Sequence, residues 1–238
     1  MPQAAGIPQY LHETYWWAYV HPKAVQVFER QWLVNLILWG NFAKLRDAAL
    51  DALGPALHGR TLQVACVYGD FTPRLAERAA AHGSLDVVDV LPIQLANLER
   101  KLDAAGAVTL LQRDASDLGF EDASYERVVL FFLLHEMPET VRRGTLSEAL
   151  RVLKPGGQLV IVDYHSPAAW HPLRPVMKWI LRSFEPFAMD LWAHEVAEFL
   201  PRGCEVGIQK TNYCAGLYQK LVITKRMQRA VLDQPWRP

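Results

Sequence analysis

From residue 61 onward the chain alternates short apolar runs of strand length with longer segments of helical period, the pattern of βα units built on a parallel sheet. Residues 61–67 read as the first strand and 73–81 as the helix after it. A second strand over 85–90 precedes a helix that runs to Leu102, and 108–112 forms the third strand. Residues 127–133 make the fourth, 138–153 its helix, and 158–163 the fifth. The expected fold is therefore α/β: a Rossmann-like, mostly parallel sheet with helices on both faces.

Two segments depart from this alternation. Residues 10–53 read as two helices broken at His21-Pro22, and they are dense in aromatics: Tyr10, Tyr15, Trp16, Trp17, Tyr19, Phe28, Trp32, Trp39 and Phe42. Packing on the main domain is the plain reading of such residues, with an apolar ligand site or a membrane surface as the alternatives. Residues 165–190 carry Pro167, Pro172, Pro175 and Pro186 among bulky apolar side chains, which suggests a lid or helical insertion over the sheet edge. A helix over 191–200 and a hairpin of strands over 205–213 and 216–224 would complete the fold. The organisation that follows is a helical extension over 1–56, a Rossmann-like domain over 57–226 with its lid at 165–190, and a surface tail over 227–238.

Composition narrows the class. With 51% hydrophobic residues, 238 residues can bury one sizeable core, and a formal net charge of zero offers no polycationic surface for nucleic acid. Cys66, Cys204 and Cys214 are too few and too scattered for a disulfide framework or a four-cysteine zinc site, which fits a reducing cytoplasm. The first residues lack the basic and apolar regions of a secretory signal, and the apolar run 32–39 is far shorter than the ~20 residues of a membrane span.

The candidate chemistry gathers at strand ends. The first strand runs into Val67-Tyr68-Gly69-Asp70-Phe71-Thr72, where a nucleotide-binding domain places its phosphate or cofactor turn, although a lone Gly69 is ordinary at such a turn. Asp89, followed by Val90, ends the second strand where Rossmann-like domains hold a ribose with a carboxylate; capping the next helix is the plainer role, and the two are compatible. Asp114-Ala115 follows the third strand, where a carboxylate can receive the exocyclic amine of adenine or merely close a turn. His135 and Glu136 close the fourth strand, and Asp163, Tyr164 and His165 the fifth. Converging in one crevice, they would suit a divalent ion such as manganese or general acid-base work. His194 and Glu195 fit the crevice or the surface equally, and Cys66, inside the first strand, is expected to be an inert thiol.

Taken together, residues 57–224 resemble the seven-stranded class I S-adenosylmethionine (SAM)-dependent methyltransferase fold. The resemblance rests on 62–72 as its first motif, Asp89 and Asp114-Ala115 as its ribose and adenine acids, and Leu153-Lys154-Pro155-Gly156-Gly157 before the fifth strand. Within that class the chain is similar to quinone methyltransferases. It departs from them where Gln63 replaces an acid, Val67 replaces a glycine and Tyr68 fills the position between the glycines. This altered turn, with Leu-Leu-His-Glu at 133–136, Val-Asp-Tyr-His at 162–165 and the stretch that begins at Trp170, resembles the rhodoquinone-biosynthesis family, RquA.

That resemblance implies conversion of ubiquinone to rhodoquinone: a ring methoxy group is exchanged for an amino group, with SAM as amino donor and manganese as metal. It implies a SAM site at Val67, Tyr68, Gly69, Asp70, Thr72, Asp89, Val90, Asp114 and Ala115, with Tyr68, His135 and Tyr164 as catalytic groups. For the manganese, the convergence of the strand ends and the preference of a hard ion for oxygen ligands with some imidazole point to His135, Asp163 and His165, with Asp114, Glu136 and Tyr164 as reserves. Gln63, Val67 and Tyr68 would surround the methionine end of SAM and turn its amine toward the quinone. A lipid substrate implies peripheral contact with the inner membrane, through the aromatic helices and through Trp170, Trp179, Phe184, Phe187 and Trp192. The alternatives are an ordinary SAM-dependent quinone or lipid methyltransferase and an inactive SAM-binding protein.

Overall fold

The computed structural model describes residues 6–15, 22–102 and 108–226. The expectations placed on Trp16, Trp17, Tyr19, His21 and the tail from Met227 lie outside them. Seven strands form one sheet in the order β3-β2-β1-β4-β5-β7-β6. They are β1 (Gly59–Val64), β2 (Gly83–Asp89), β3 (Val108–Gln112), β4 (Tyr125–Phe131), β5 (Leu153–Tyr164), β6 (Val206–Tyr213) and β7 (Tyr218–Lys225). β1 to β5 run parallel, and β7 lies antiparallel between β5 and β6. The strand order reverses between β1 and β4, and at that reversal a crevice opens beyond the carboxyl ends of the strands.

Both faces of the sheet are covered, which is why its central strands are apolar throughout. In β4, Val129 and Phe131 point into one core layer with helices α4 (Phe42–Leu53), α5 (Phe71–Ala79) and α8 (Arg174–Phe184). Val128 and Leu130 point into the other, against α7 (Glu139–Val152) and α9 (Ala188–Ala193). Phe131 stacks on Phe71 with ring centroids 4.4 Å apart, joining α5 to the centre of the sheet. The remaining crossover helix, α6 (Pro92–Glu99), begins on Pro92, whose fixed φ suits a first helical turn.

Several boundaries move for local reasons. β1 stops at Val64, earlier than periodicity suggests, because Ala65 adopts φ 71°; β4 stops at Phe131 because Phe132 adopts φ 54°. The two helices expected over 10–53 are four: α1 (Gln9–Thr14), α2 (Pro22–Phe28), α3 (Gln31–Ile37) and α4. The left-handed pair Trp39 (φ 52°) and Gly40 (φ 77°) makes the corner between α3 and α4. The expected lid at 165–190 contains α8, a helix with Pro175 in its first turn, and the start of α9. The helix expected over 191–200 is broken where His194 turns extended (ψ 150°), leaving a single 3-10 turn at Val196–Phe199. No helix among the described residues is long and apolar enough to cross a membrane.

Candidate active site

A cavity of about 410 Å³ occupies the crevice at the carboxyl ends of the strands. Its floor is the turn after β1, which the protein itself holds rigidly. Lys101 Nζ donates to the carbonyls of Val67 (3.1 Å) and Gly69 (3.0 Å), while Glu29, just past α2, accepts from Gly69 N (3.2 Å), Lys101 Nζ (2.8 Å) and Asn97 Nδ2 (2.6 Å). Glycine is required at position 69: φ is 82°, and a Cβ would stand 2.8 Å from Phe42 Cζ. Tyr68 turns its ring into the cavity, stacks on Phe28 at 6.0 Å and accepts a hydrogen bond from Gln94 Nε2 at 2.8 Å. Burial raises its hydroxyl pKa, so the phenol stays protonated.

The second and third strand ends supply carboxylates. Asp89 accepts from Cys66 N through Oδ2 and from Leu91 N through Oδ1, both at 2.8 Å, tying the loop after β2 to the turn after β1. Burial outweighs these hydrogen bonds and raises its pKa to about 6. Asp114 Oδ1 accepts from Ser116 N and Oγ, both at 2.7 Å, closing a turn that presents Asp114 and Ala115 to the cavity.

The fourth and fifth strand ends form a buried pair. His135 Nδ1 lies 2.8 Å from Asp163 Oδ1, which orients the ring and leaves Nε2 for the cavity. Asp163, fully buried, also accepts from Tyr164 N (2.7 Å) and Leu134 N (2.8 Å). Burial alone would lower the pKa of His135, yet the charges of Asp163, Glu185 and Glu136 raise it from 6.5 to about 9. At neutral pH the ring is an imidazolium. Tyr164 packs edge-on against it at 4.8 Å, and burial keeps that phenol protonated.

The structure thus brings Val67, Tyr68, Asp89, Val90, Asp114, Ala115, His135 and Tyr164 to one cavity. Other expected residues are placed differently. Gln63 and Thr72 are fully buried beneath the turn, where Gln63 Nε2 donates to Ala65 O and Thr72 Oγ1, both at 2.9 Å; they brace it from behind. Gly69 shapes the turn without lining the cavity, and Asp70 faces away to pair with Arg46 (2.7 Å) and Arg74 (2.6 Å). Although burial alone would raise the pKa of Asp70, these partners and Gln31 lower it to about 2.

The manganese set His135, Asp163 and His165 does not converge. Asp163 is committed to His135 and main-chain amides, and His165 puts Nδ1 on Gly216 O (2.8 Å) and Nε2 beside Lys210 Nζ (3.0 Å), away from the cavity lining. Among the described residues no three histidine, cysteine or acidic side chains come together to hold a metal ion, and these residues as arranged do not fit one. His194 and Glu195 also lie outside the cavity, paired with Glu198 and Lys210 respectively.

Four contributors gave no motif-level signal. Glu29 and Lys101 act on the turn from afar in sequence. Arg142, fully buried on α7, donates to the carbonyls of Leu134 (2.9 Å), Met137 (2.8 Å) and Phe187 (2.9 Å), clamping the turn that carries His135. Glu185, at the end of α8, lines the cavity. Arginine on an otherwise core-facing helix stripe was the only pattern that pointed to any of them.

Residues 61–157 match the family of methyltransferase domains, and the fold is shared with solved SAM-dependent methyltransferases. Among solved structures, a SAM-dependent methyltransferase from Aquifex aeolicus superposes with a TM-score of 0.58 at 16% identity, covering 86% of this chain and 98% of that one. The N-methyltransferase NodS from Bradyrhizobium japonicum, in complex with S-adenosylhomocysteine, superposes with a TM-score of 0.55 at 14% identity over 77% and 86%. In sequence, the demethylmenaquinone methyltransferase of Lactiplantibacillus plantarum is 29% identical over 169 residues, 69% of this chain and 70% of that enzyme.

Proposed function

We propose that the cavity binds SAM and that the protein transfers a group from it to the ring of a quinone-type lipid. The observation that carries this reading is one continuous lumen joining Asp89 and Asp114 to His135 and to an apolar lobe walled by α3 and α8. The two carboxylates suit the ribose hydroxyls and the adenine amine, while the imidazolium of His135 donates a hydrogen bond that anchors a ring oxygen. Likeness to demethylmenaquinone methyltransferases supports a quinone as acceptor and methyl as the group.

The turn supports a finer reading, the exchange of a ring methoxy for an amino group that makes rhodoquinone from ubiquinone. Val67 and Tyr68 crowd the cavity where the methionine end of SAM would lie, and a re-aimed SAM presents its amine instead of its methyl: the nitrogen adds to the ring carbon, the methoxy group leaves as methanol, and loss of a Cβ proton then breaks the Cα–N bond of SAM, leaving the amino group on the ring and an unsaturated sulfonium acid. Incubating the protein with ubiquinone or demethylmenaquinone and SAM labelled either at its methyl carbon or at its amino nitrogen separates the readings by mass spectrometry of the quinone. Nitrogen label in the ring establishes amino transfer, and methyl label establishes a conventional methyltransferase. SAM binding with no label in either quinone marks an inactive binder and ends the proposal. Under the amino reading, V67G/Y68T lowers nitrogen transfer at least tenfold.

A lipid acceptor calls for membrane contact. Ile37 of α3 and Phe184 of α8 both line the cavity and stand exposed at its rim; Trp179, edge-on to Phe184, is 64% exposed, and Trp32 and Trp170 are 61% and 75% exposed. The exposed charges of α8 are the cations Lys178 and Arg182, which complement anionic headgroups. Flotation with phosphatidylglycerol-containing vesicles is expected to carry the protein upward, and W170A/W179A to leave it in the dense fraction. Wild-type protein that stays there removes the membrane part of the reading.

A further inference from the structure

We propose that Cys214 is a site of reversible oxidation, at which a hydroperoxide converts the thiol to a sulfenic acid whose new oxygen is held by the Tyr218 hydroxyl and by His171. The site lies outside the cavity lining and is independent of SAM and of the acceptor. Cys214 stands in the turn between β6 and β7, at the same end of the sheet as the crevice, because Tyr218 of β7 pairs with Tyr164 at the end of β5. Cys214, Ala215 and Gly216 all take left-handed conformations (φ 49°, 47° and 91°), and the thiol is half-buried.

Three polar groups gather around the sulfur, and each has a hydrogen to give. His171, buried, accepts from Leu173 N at Nδ1 (3.1 Å), so its hydrogen is on Nε2, 3.9 Å from Cys214 Sγ. Asn41 Nδ2, anchored on the carbonyls of Leu38 (3.1 Å) and Trp39 (3.0 Å), stands 3.8 Å from the same sulfur. Tyr218 packs in one core layer with Cys214 and is fully buried, yet its hydroxyl has no hydrogen-bond partner among the described residues. Burial and the neighbouring Cys214 raise the pKa of that phenol, so it remains a donor.

A buried hydroxyl without a partner is rare and destabilising, and what Tyr218 lacks is an acceptor. A thiol sulfur is a poor one, whereas an oxygen added to it is a good one. The Cys214 sulfur attacks one oxygen of the hydroperoxide; an S–O bond forms as the O–O bond breaks, and the thiol proton goes to the departing oxygen, which leaves as water or an alcohol. Sulfur gives up two electrons and the peroxide takes them. His171 and Asn41 stabilise the negative charge on sulfur while its proton leaves, and the new oxygen accepts from Tyr218. Two external thiols restore Cys214: the first condenses with the sulfenic acid and releases water, and the second reduces the mixed disulfide. The other cysteines lack this setting. Burial, with Asp89 beside it, pushes the Cys66 thiol well up, and Cys204 packs among the apolar residues of the other core layer.

The test uses the full chain, reduced and freed of reductant, then treated with hydrogen peroxide in the presence of dimedone, with each cysteine followed by peptide mass spectrometry. Cys214 is expected to take the label about tenfold faster than Cys66 or Cys204, and to lose it if a thiol is added before dimedone. Y218F lacks only the hydroxyl that meets the added oxygen, so it is expected to slow labelling of Cys214 by about threefold and to leave alkylation by iodoacetamide, which puts carbon on the sulfur, at the wild-type rate. H171L is expected to slow both reactions. The melting temperature of reduced Y218F is expected to equal or exceed that of wild type, since the hydroxyl it removes has no partner. Labelling of Cys214 no faster than that of the other cysteines, an unchanged labelling rate in Y218F, equal slowing of labelling and alkylation in Y218F, or a lowered melting temperature in reduced Y218F overturns the proposal.

Discussion

Replacing Asp163 with asparagine should abolish a pH-dependent part of the stability of this fold. In the native state His135 is raised from 6.5 to about 9, against the lowering effect of its own burial, by Asp163, Glu185 and Glu136. A group whose proton affinity rises on folding stabilises the native state fully below its unfolded pKa, and that contribution is lost as pH climbs through the folded value. The window is therefore pH 6.5 to 9. At about 1.4 kcal/mol per tenfold change in affinity, the loss across it amounts to about 3 kcal/mol. Asp89 is raised only to about 6 and acts below this window.

Asparagine keeps the volume and one acceptor oxygen, enough for the amide of Leu134 or of Tyr164 but not both, and removes the charge. Urea unfolding of wild type and D163N at half-unit steps from pH 6 to 10 should show wild-type stability declining through the window and that of D163N nearly flat. A wild type that is level from pH 6.5 to 9, or a variant that declines in parallel with it, would refute the assigned pairing.

Three further outcomes follow from the cavity. Affinity for S-adenosylhomocysteine should fall by up to tenfold per pH unit below about 6, where Asp89 takes up a proton and ceases to accept from ribose hydroxyls; calorimetry between pH 5 and 7.5 measures it. Arg142→Met should cost about 3–5 kcal/mol, lowering the melting temperature by roughly 10 °C, because three buried carbonyls lose their donors. Gly69→Ala should cost about 1–3 kcal/mol through its left-handed φ and the Phe42 ring, whereas Ala65→Gly, at φ 71°, should leave stability equal or higher by thermal melt.

What the sequence shows of this protein depends on how locally each feature is encoded. β3 begins and ends where the apolar run does, because nothing at its ends overrides the pattern. Ala65 and Phe132 cut β1 and β4 short through backbone conformations that their side chains do not announce, and both sit at the cavity's edge, where strain is most often held. The strand-end acids and His135 were legible because a parallel sheet delivers its carboxyl ends to one crevice. His165 was misplaced by the same rule: it is two residues past Asp163, which puts it beyond the strand end, on the side facing Lys210. Gln63 and Thr72 belong to the turn motif in sequence yet support it from within the core. Glu185 was invisible, since a single acid after a helix has meaning only once α8 is docked.

The grip of Lys101 and Glu29 on the turn after β1 has a kinetic corollary. A loop whose carbonyls and amide are already claimed arrives at its cofactor shaped, so capture requires little ordering, and association should be fast with a modest entropic cost. The same saturation leaves side chains, above all Val67 and Tyr68, to determine how an incoming molecule lies there. Exchanging those two residues could then alter the chemistry of the site while the backbone beneath it stays in place.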